Sequence, residues 1–155
     1  MGLTIGITGH TSGFGKHIAE ACKAAGHTVE GFSKSNGYDL LFDVSPVFSK
    51  KLDCIINNAD IGNAQVNICV QSHRKEIPCI NIGSKITEAT VTEHTDIITK
   101  DNKIALEDIS KSLGQKYLTW GFSKGHPILE NNPELETDIT IEDAVKEVLN
   151  ELPLR

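Results

Sequence analysis

The sequence predicts a single α/β domain, residues 1–155, in which a doubly wound parallel sheet of about six strands has helices on both faces. Short apolar runs rich in β-branched residues alternate along the chain with segments of helical periodicity, an order typical of βαβ units. The length of 155 residues fits one domain. A glycine-rich turn joins the first apolar run to the first helical segment.

Each predicted strand is a short apolar run bounded by turn residues. The strands are Leu3–Thr8, Thr28–Phe32, Asp39–Val44, Asp53–Asn57, Pro78–Gly83 and Lys116–Trp120. The predicted helices carry apolar residues three and four positions apart or begin at a capping residue. They are Phe14–Ala25, Ala64–His73, Asp101–Leu113 and a last helix that begins at Thr140, with Asp143 in the capping-box position. The predicted loops are Glu88–Lys100 and Phe122–Asp138.

The composition argues against several classes of partner. Hydrophobic residues make up 39% of the chain, enough for a core, and the formal net charge is −6. This negative charge argues against nucleic acid and against an anionic membrane as partners. No apolar run has the length of a membrane span, and the N-terminus lacks the pattern of a signal peptide, so we expect a cytoplasmic protein.

The cysteines and histidines show no metal-binding pattern. Cys22, Cys54, Cys69 and Cys79 form no C-x-x-C pair, and no pair of histidines has the spacing of a metal site with a third ligand nearby. We therefore expect no bound metal and four free, buried thiols.

The segment Thr8–Gly15, TGHTSGFG, is the strongest functional signal, because it leaves a predicted strand and opens a predicted helix. Gly9 permits a tight turn, Gly13 lets the backbone approach a pyrophosphate, and Gly15 lets the helix pack close to the sheet. The amino end of the helix presents free N–H groups to the phosphates. A Rossmann-type dinucleotide site is therefore predicted. The other loop residues expected to contact the cofactor are Thr11, Ser12 and Phe14.

The spacing of this loop, T-G-x-x-x-G-x-G, resembles the cofactor loop of the short-chain dehydrogenase/reductase family. The stretch DCIINNADIG, which contains Asn57–Ala59, resembles the family's N-N-A-G motif, except that Asp60 replaces the glycine. Asp43 and Val44 resemble the D-V pair that meets the adenine ring. The resemblance implies dinucleotide contacts from these residues: Asp43, Val44, Asn58 and Ala59.

The end of the second predicted strand bears on the choice of dinucleotide. An acidic residue there binds the ribose 2′-hydroxyl of NAD, whereas a basic residue accepts the 2′-phosphate of NADP. Ser33, Lys34 and Ser35 offer two hydroxyls and a cation, while Glu30 comes earlier in the strand. The segment resembles the S-R-S sequence of NADP-preferring relatives, with lysine for arginine. NADP(H) is therefore the expected cofactor and NAD(H) the less favoured one; the alternative for Lys34 is an ordinary exposed lysine.

The resemblance implies a catalytic serine, tyrosine and lysine, of which two have counterparts. Ser84 in CINIGSK resembles the serine that positions the substrate oxygen, and Lys103 resembles the lysine that holds the nicotinamide ribose. The family's tyrosine lies four residues before the lysine, where this chain has Thr99. A threonine hydroxyl is too weak an acid to replace a tuned phenol near neutral pH. The alternative for Lys103 is a solvent-facing lysine on a helix.

No tyrosine lies between Tyr38 and Tyr117, so a shift in alignment does not restore the motif. His94, in the predicted loop before Thr99, is one candidate proton carrier, and an exposed histidine without function is its alternative. The sequence therefore departs from the family at the residue that handles the proton.

The segment TWGF resembles the family's S-P-G-F, which touches the nicotinamide amide, so Gly121 is a further expected contact, and Trp120 stands in the proline's place. The helix Asp101–Leu113 resembles one of the two helices through which family members associate. The resemblance therefore also implies a homo-oligomer, although the segment before Ser84 is shorter than in typical members.

Three functions are compatible with this pattern. The first is a minimal oxidoreductase that passes hydride between NADP(H) and a small carbonyl or alcohol, with Ser84 and Lys103 at an atypical active site. The second is a non-catalytic NADP(H)-binding sensor or regulatory protein. The third, a structural module without cofactor, is the least consistent with the glycine loop.

Overall fold

A computed structural model describes residues 2–92 and 95–154. Its centre is one parallel sheet of five strands in the order β2-β1-β3-β4-β5. The strands are β1 Thr4–Thr8, β2 Thr28–Phe32, β3 Cys54–Asn57, β4 Cys79–Ile82 and β5 Lys116–Leu118. The predicted parallel sheet is confirmed, with five strands rather than about six.

Within the described residues, four α-helices cover the two faces of the sheet, which confirms the doubly wound architecture. They are α1 Gly13–Ala24, α2 Asn63–Arg74, α3 Ile97–Ser112 and α4 Ile141–Asn150. On one face Ile18 of α1 and Val148 of α4 pack on Ile5 and Ile7 of β1. On the other face Ile68 of α2 packs on Ile55 of β3, and α3 lies beside α2. None of the helices in the described ranges is long and apolar enough to cross a membrane.

The predicted strand Asp39–Val44 is wrong, because this segment forms a turn followed by a 3₁₀ helix. The backbone amides of Phe42 and Asp43 both donate to the carbonyl oxygen of Asp39, at 3.1 Å. The Asp43 carboxylate accepts hydrogen bonds from the Ser45 amide and hydroxyl, each at 2.9 Å. These local bonds satisfy the backbone without a sheet partner, so β2 forms an edge of the sheet.

Helix α3 begins four residues earlier than predicted, at Ile97, so the end of the predicted loop Glu88–Lys100 is helical. Asp96 caps it, because its carboxylate accepts from the Thr99 amide at 3.0 Å. This cap outweighs the weak helix propensity of the threonine-rich segment. The predicted cap of the last helix is confirmed: Thr140 Oγ1 accepts from the Asp143 amide at 3.1 Å.

Two further segments differ from the sequence predictions by more than one residue. Strand β5 ends at Leu118 rather than at Trp120. The predicted loop Phe122–Asp138 contains two 3₁₀ helices, Pro127–Glu130 and Pro133–Leu135. Their buried residues Ile128 and Leu135 form a small separate core with Ile86 and Ala89.

The prediction of free, buried thiols is confirmed for all four cysteines, Cys22, Cys54, Cys69 and Cys79. Burial raises the pKa of Cys22 to about 11. It raises the pKa of Cys54 to about 12. Because the thiolate is the reactive form, burial keeps these side chains inert near neutral pH.

Candidate cofactor site

The glycine loop lies at the carboxyl edge of the sheet, between β1 and α1. Gly9 and Gly13 have φ of +68° and +56°, in the left-handed region that favours glycine. A Cβ built on Gly15 would overlap the carbonyl oxygen of Gly9, so the helix approaches the loop more closely than a side chain would permit. A Cβ on Gly13 would point into open space. The turn therefore has the shape of a cradle with one open side.

Residues that directly follow β3, the strand next to β1, hydrogen-bond to the start of this loop. Thr8 Oγ1 accepts hydrogen bonds from the backbone amides of Asn58 and Ala59, both at 3.0 Å. Asn58 Nδ2 donates to the carbonyl oxygen of Thr8 at 3.2 Å. Asn58 thus positions the loop from within the protein, and Thr8 is a site residue that the sequence analysis did not single out.

A cluster of hydroxyl groups links the loop to the end of β2. Ser35 Oγ donates to Thr11 Oγ1 at 2.9 Å and lies 2.7 Å from Ser33 Oγ. Lys34 lies between the two serines on a 3₁₀ turn and is exposed. The Glu30 carboxylate is paired with Lys50 at 2.8 Å, outside this cluster. The structure therefore brings the predicted hydroxyls and their cation together at the corner of the site.

An apolar cleft with a volume of about 140 Å³ runs between the ends of β1, β2 and β3. Its lining includes Gly9, Phe32, Ser33, Leu40, Ala59 and Ile61. The structure does not bring Asp43 and Val44 to this cleft: they line a separate surface cavity beside Phe48. Asp43 and Val44 lie away from the cleft because the segment forms a turn instead of the predicted strand. The turn brings Leu40 to the cleft and directs the residues after it elsewhere.

Lys103 reaches the carboxyl edge from α3 and is buried. Three acceptors surround its ammonium: Gln65 Oε1 at 2.7 Å, the Ile82 carbonyl oxygen at 3.5 Å and Asp60 Oδ1 at 3.6 Å. Burial lowers the pKa of Lys103, and the charge of Asp60 partly opposes this effect. The lysine is therefore not a solvent-facing residue, and its one short hydrogen bond is to Gln65.

Ser84 and Gly121 follow two neighbouring strands at the same edge. Ser84 comes after β4, where its hydroxyl accepts from the Ile86 amide at 3.2 Å. A Cβ on Gly121 would overlap the Leu135 carbonyl oxygen, so close packing requires glycine there. Trp120 packs edge-on against Phe14, with ring centroids 5.2 Å apart, and its indole N–H donates to a carboxylate of α4.

The position that corresponds to the family tyrosine lies at the start of α3. Thr99 lies in the first turn of α3, where its amide is held by the capping Asp96. His94 lies outside the described residues. Gln65, the residue that holds Lys103, was missed by the sequence analysis, because a glutamine on a short helix carries no recognisable signal.

The sheet order, the two covered faces and the glycine loop at the carboxyl edge define a Rossmann-type α/β protein. No family model matches the sequence, and no curated protein matches it by sequence. Similarity appears at the level of structure. A short-chain dehydrogenase from Streptomyces avermitilis matches 100% of this chain and 86% of its own, at 18% identity and a TM-score of 0.62.

Two further solved structures give the same result. A short chain dehydrogenase from Burkholderia cenocepacia, in complex with NADP, matches 97% of this chain and 84% of its own, at 16% identity and a TM-score of 0.69. A dTDP-4-dehydrorhamnose reductase from Clostridium acetobutylicum matches 96% of this chain and 69% of its own, at 17% identity and a TM-score of 0.66. The chain therefore has the fold of the short-chain dehydrogenases and reductases.

Proposed function

We propose that this protein binds NADP(H) along the carboxyl edge of its sheet and acts as a binding protein whose partner is the cofactor. The observation that carries the proposal is the continuous path from the glycine cradle to the hydroxyl cluster. A pyrophosphate fits against Gly13, where a side chain is absent and the helix amino end points outward. The apolar cleft beside Gly9 and Ala59 suits an adenine ring.

The hydroxyl cluster supports a preference for the 2′-phosphate. Thr11, Ser33 and Ser35 present hydroxyl groups, and Lys34 adds a positive charge beside them. Glu30, the nearest carboxylate of β2, is held by Lys50 and does not compete for the ribose hydroxyls. These contacts favour NADP(H) over NAD(H).

The residues at the proposed nicotinamide end of the site support binding of the cofactor more than catalytic turnover. When bound, the nicotinamide supplies or accepts a hydride. A reductase also needs a proton carrier, and the position of the family tyrosine holds Thr99. The Lys103 ammonium donates its one short hydrogen bond to Gln65, and the Ile82 carbonyl oxygen and the Asp60 carboxylate lie 3.5 and 3.6 Å away. The two departures from the family pattern, at Thr99 and at Lys103, therefore lie at the groups that would transfer the proton in a reductase.

The test is titration with NADPH and NADH, followed by calorimetry and by the fluorescence of Trp120, the one tryptophan of the chain. We expect NADPH to bind at micromolar strength and NADH more weakly. Lys34→Ala should reduce the preference for NADPH roughly tenfold, the effect of losing one charged contact. Lys51→Ala is the matched control, because Lys51 is an exposed lysine that precedes β3 at the opposite edge of the sheet. Absence of binding by both nucleotides would refute the proposal.

A minimal oxidoreductase is the second candidate, because Ser84 and Lys103 lie at the same edge of the sheet as the glycine loop. Its substrate would be a small carbonyl or alcohol. Consumption of NADPH with a panel of small aldehydes and ketones, abolished by Ser84→Ala, would favour this candidate over the binding protein.

A further inference from the structure

A cavity of about 720 Å³ opens at the amino edge of the sheet, where the strands begin, opposite the glycine loop. The carboxyl ends of three helices border it: Arg74 is the last residue of α2, Gly114 follows α3, and Glu151 follows α4. Ile77, just before β4, and Ile80 within it contribute apolar surface. The proposed cofactor site uses no residue of this cavity, so the amino edge is a separate feature of the molecule.

The cavity presents one cation and one anion that have no partner in the protein. Lys116 and Glu151 both line it, and they pair with each other at 3.1 Å. Arg74 and Glu76 also line it, and both are exposed. Neither of these two side chains has an ion-pair or hydrogen-bond partner among residues 2–92 and 95–154. A guanidinium and a carboxylate are therefore available to a ligand, two residues apart in the chain.

The backbone of Glu76 is strained at this position. Glu76 is the one residue other than glycine with a positive φ in the described part of the chain, at +57°. Gly26 and Gly114 occupy the corresponding positions after α1 and α3. A Cβ in this conformation costs free energy, and residues held in such conformations cluster at ligand sites. The side chain of Glu76 makes no contact with the protein that offsets this cost, so a contact with a ligand is a physical reason for a glutamate there.

We propose that this cavity binds a small zwitterion, an α-amino acid with an apolar side chain. The Arg74 guanidinium matches a carboxylate, with which it forms two parallel hydrogen bonds. The Glu76 carboxylate pairs with the ligand's ammonium, and the negative partial charge at the carboxyl ends of the helices favours the same group. The apolar side chain packs on Ile77 and Ile80.

The charge pattern disfavours a ligand with a single charge. A simple carboxylate would bind beside Glu76 and the negative helix ends without a cation to pair with them. A simple amine would leave Arg74 without an anion and would be repelled by it. A zwitterion pairs with both groups at once, so both of its charges should contribute to its affinity.

The experiment titrates the full chain with three ligands and follows its backbone amides by two-dimensional NMR. The ligands are L-leucine, 4-methylpentanoate, which lacks the ammonium, and 3-methylbutylamine, which lacks the carboxylate. We expect leucine to bind with a dissociation constant of about 1 mM, as suits a ligand of this size, and the other two roughly tenfold more weakly. The shifted amides should include Ile77 and Gly114 and exclude the glycine loop.

Two charge-removing variants test the two contacts separately. Arg74→Gln should weaken leucine roughly tenfold and leave 3-methylbutylamine unchanged, because the amine has no carboxylate to lose. Glu76→Gln should weaken leucine to a similar extent and leave 4-methylpentanoate unchanged. Lys75→Gln is the matched control, because Lys75 lies between the two residues in sequence but points over the Phe48 ring, in a different cavity. It should retain the wild-type affinity, and the amide spectrum of each variant reports whether it is folded.

Three results would overturn the zwitterion site. No amide shift with leucine up to about 10 mM, ten times the expected constant, would show that the cavity does not bind it. Equal affinity for the three ligands would assign binding to the apolar surface alone. An equal loss in Lys75→Gln and in the two test variants would assign it to the general charge of the helix end.

Discussion

Lys103 Nζ donates a hydrogen bond to Gln65 Oε1 at 2.7 Å, which joins α3 to α2 beneath the carboxyl ends of β3 and β4. Gln65 Nε2 donates in turn to the carbonyl oxygens of Asn57 and Ile82, each at 2.9 Å. One buried amide therefore pairs with a buried ammonium and with the last carbonyls of two strands. Removal of Gln65 and removal of Lys103 should have unequal consequences, because only the removal of Gln65 leaves a buried charge without its hydrogen-bond partner.

Gln65→Ala should lower the free energy of unfolding by about 3 kcal/mol, because it removes the shortest hydrogen bond of the buried Lys103 ammonium and the Gln65 donor to the Asn57 and Ile82 carbonyl oxygens. Lys103→Met should change that free energy by less than about 1 kcal/mol, since the buried charge leaves with the side chain. Urea denaturation measures both. Gln71→Ala, a partly exposed glutamine on the same helix, is the control. Equal losses for Gln65→Ala and Gln71→Ala would contradict the structural role of Gln65.

The same lysine predicts a pH dependence of stability. Because burial lowers the folded-state pKa of Lys103 below its ordinary value of 10.5, the unfolded chain binds more protons between these two pKa values. The free energy of unfolding should therefore rise with pH through that window from the contribution of Lys103. Denaturation at a series of alkaline pH values should show a smaller rise in Lys103→Met than in the wild type. Parallel curves for the two proteins would contradict the assignment.

The two loop glycines at the amino end of α1 should respond differently to alanine. Gly15→Ala places a methyl group against the Gly9 backbone and the Asn58 amide, so we expect a loss of about 2 kcal/mol in stability and no NADPH binding. Gly13→Ala has space for the methyl group and pays about 1 kcal/mol for a positive φ. We expect it to remain folded and to weaken NADPH at least tenfold, because its methyl group occupies the open side of the cradle. Wild-type affinity in Gly13→Ala would place the phosphates elsewhere.

Features set by short-range sequence could be predicted, and features set by distant contacts could not. The roles of Gly9 and Gly15 follow from a local pattern, and the alternation of strands and helices follows from periodicity. The composition of Asp39–Val44 suits both a strand and a turn. The segment forms a turn because Asp43 hydrogen-bonds to Ser45 and no strand pairing competes with these local bonds. The pairing of Thr8 with Asn58 spans 50 residues, beyond the reach of any local rule.

The position of Tyr117 illustrates the same limit within the candidate site. A search for a tyrosine four residues before Lys103 considers one helical face. The phenol beside Gly83 comes from the neighbouring strand, and only the register of β4 and β5 brings it there. The spacing along the chain therefore showed correctly that α3 carries no tyrosine four residues before Lys103. It gave no information about the phenol of Tyr117, which comes from β5.

Helix α2 ends less favourably than α1 and α3. All three ends have the same pair of terminal hydrogen bonds, and α1 and α3 place Gly26 and Gly114 at the left-handed position. Helix α2 places Glu76 there, with a φ of +57°. Glu76→Gly should therefore raise the free energy of unfolding by about 1 kcal/mol, because it removes the steric cost of a Cβ in that conformation.

Replacement of the glycine at the equivalent position after α3 is the matched control for Glu76→Gly. Gly114→Ala should lower the free energy of unfolding by about 1 kcal/mol, since Gly114 has a φ of +69° and open space around it. Both changes are measured by urea denaturation, and neither should alter NADPH affinity, because these helix ends lie at the edge of the sheet opposite the cofactor site. A loss of stability in Glu76→Gly would show that the glutamate side chain makes a compensating contact.

His10 lies within the glycine loop with its ring against Gly31 of β2, and its Nδ1 is buried without a partner among the described residues. Burial lowers the pKa of His10, and the charge of Lys23 lowers it further. The folded protein therefore holds a neutral ring where the unfolded chain binds a proton, so stability should be full above about pH 6.5 and fall as the pH drops from there towards the folded-state pKa. His10→Phe keeps a ring against Gly31 and should remove this loss of stability, measured as the thermal midpoint between pH 7 and 5. His17→Gln, an exposed histidine on α1, should retain the wild-type profile; an acid-induced loss that persists in His10→Phe would assign it to another group.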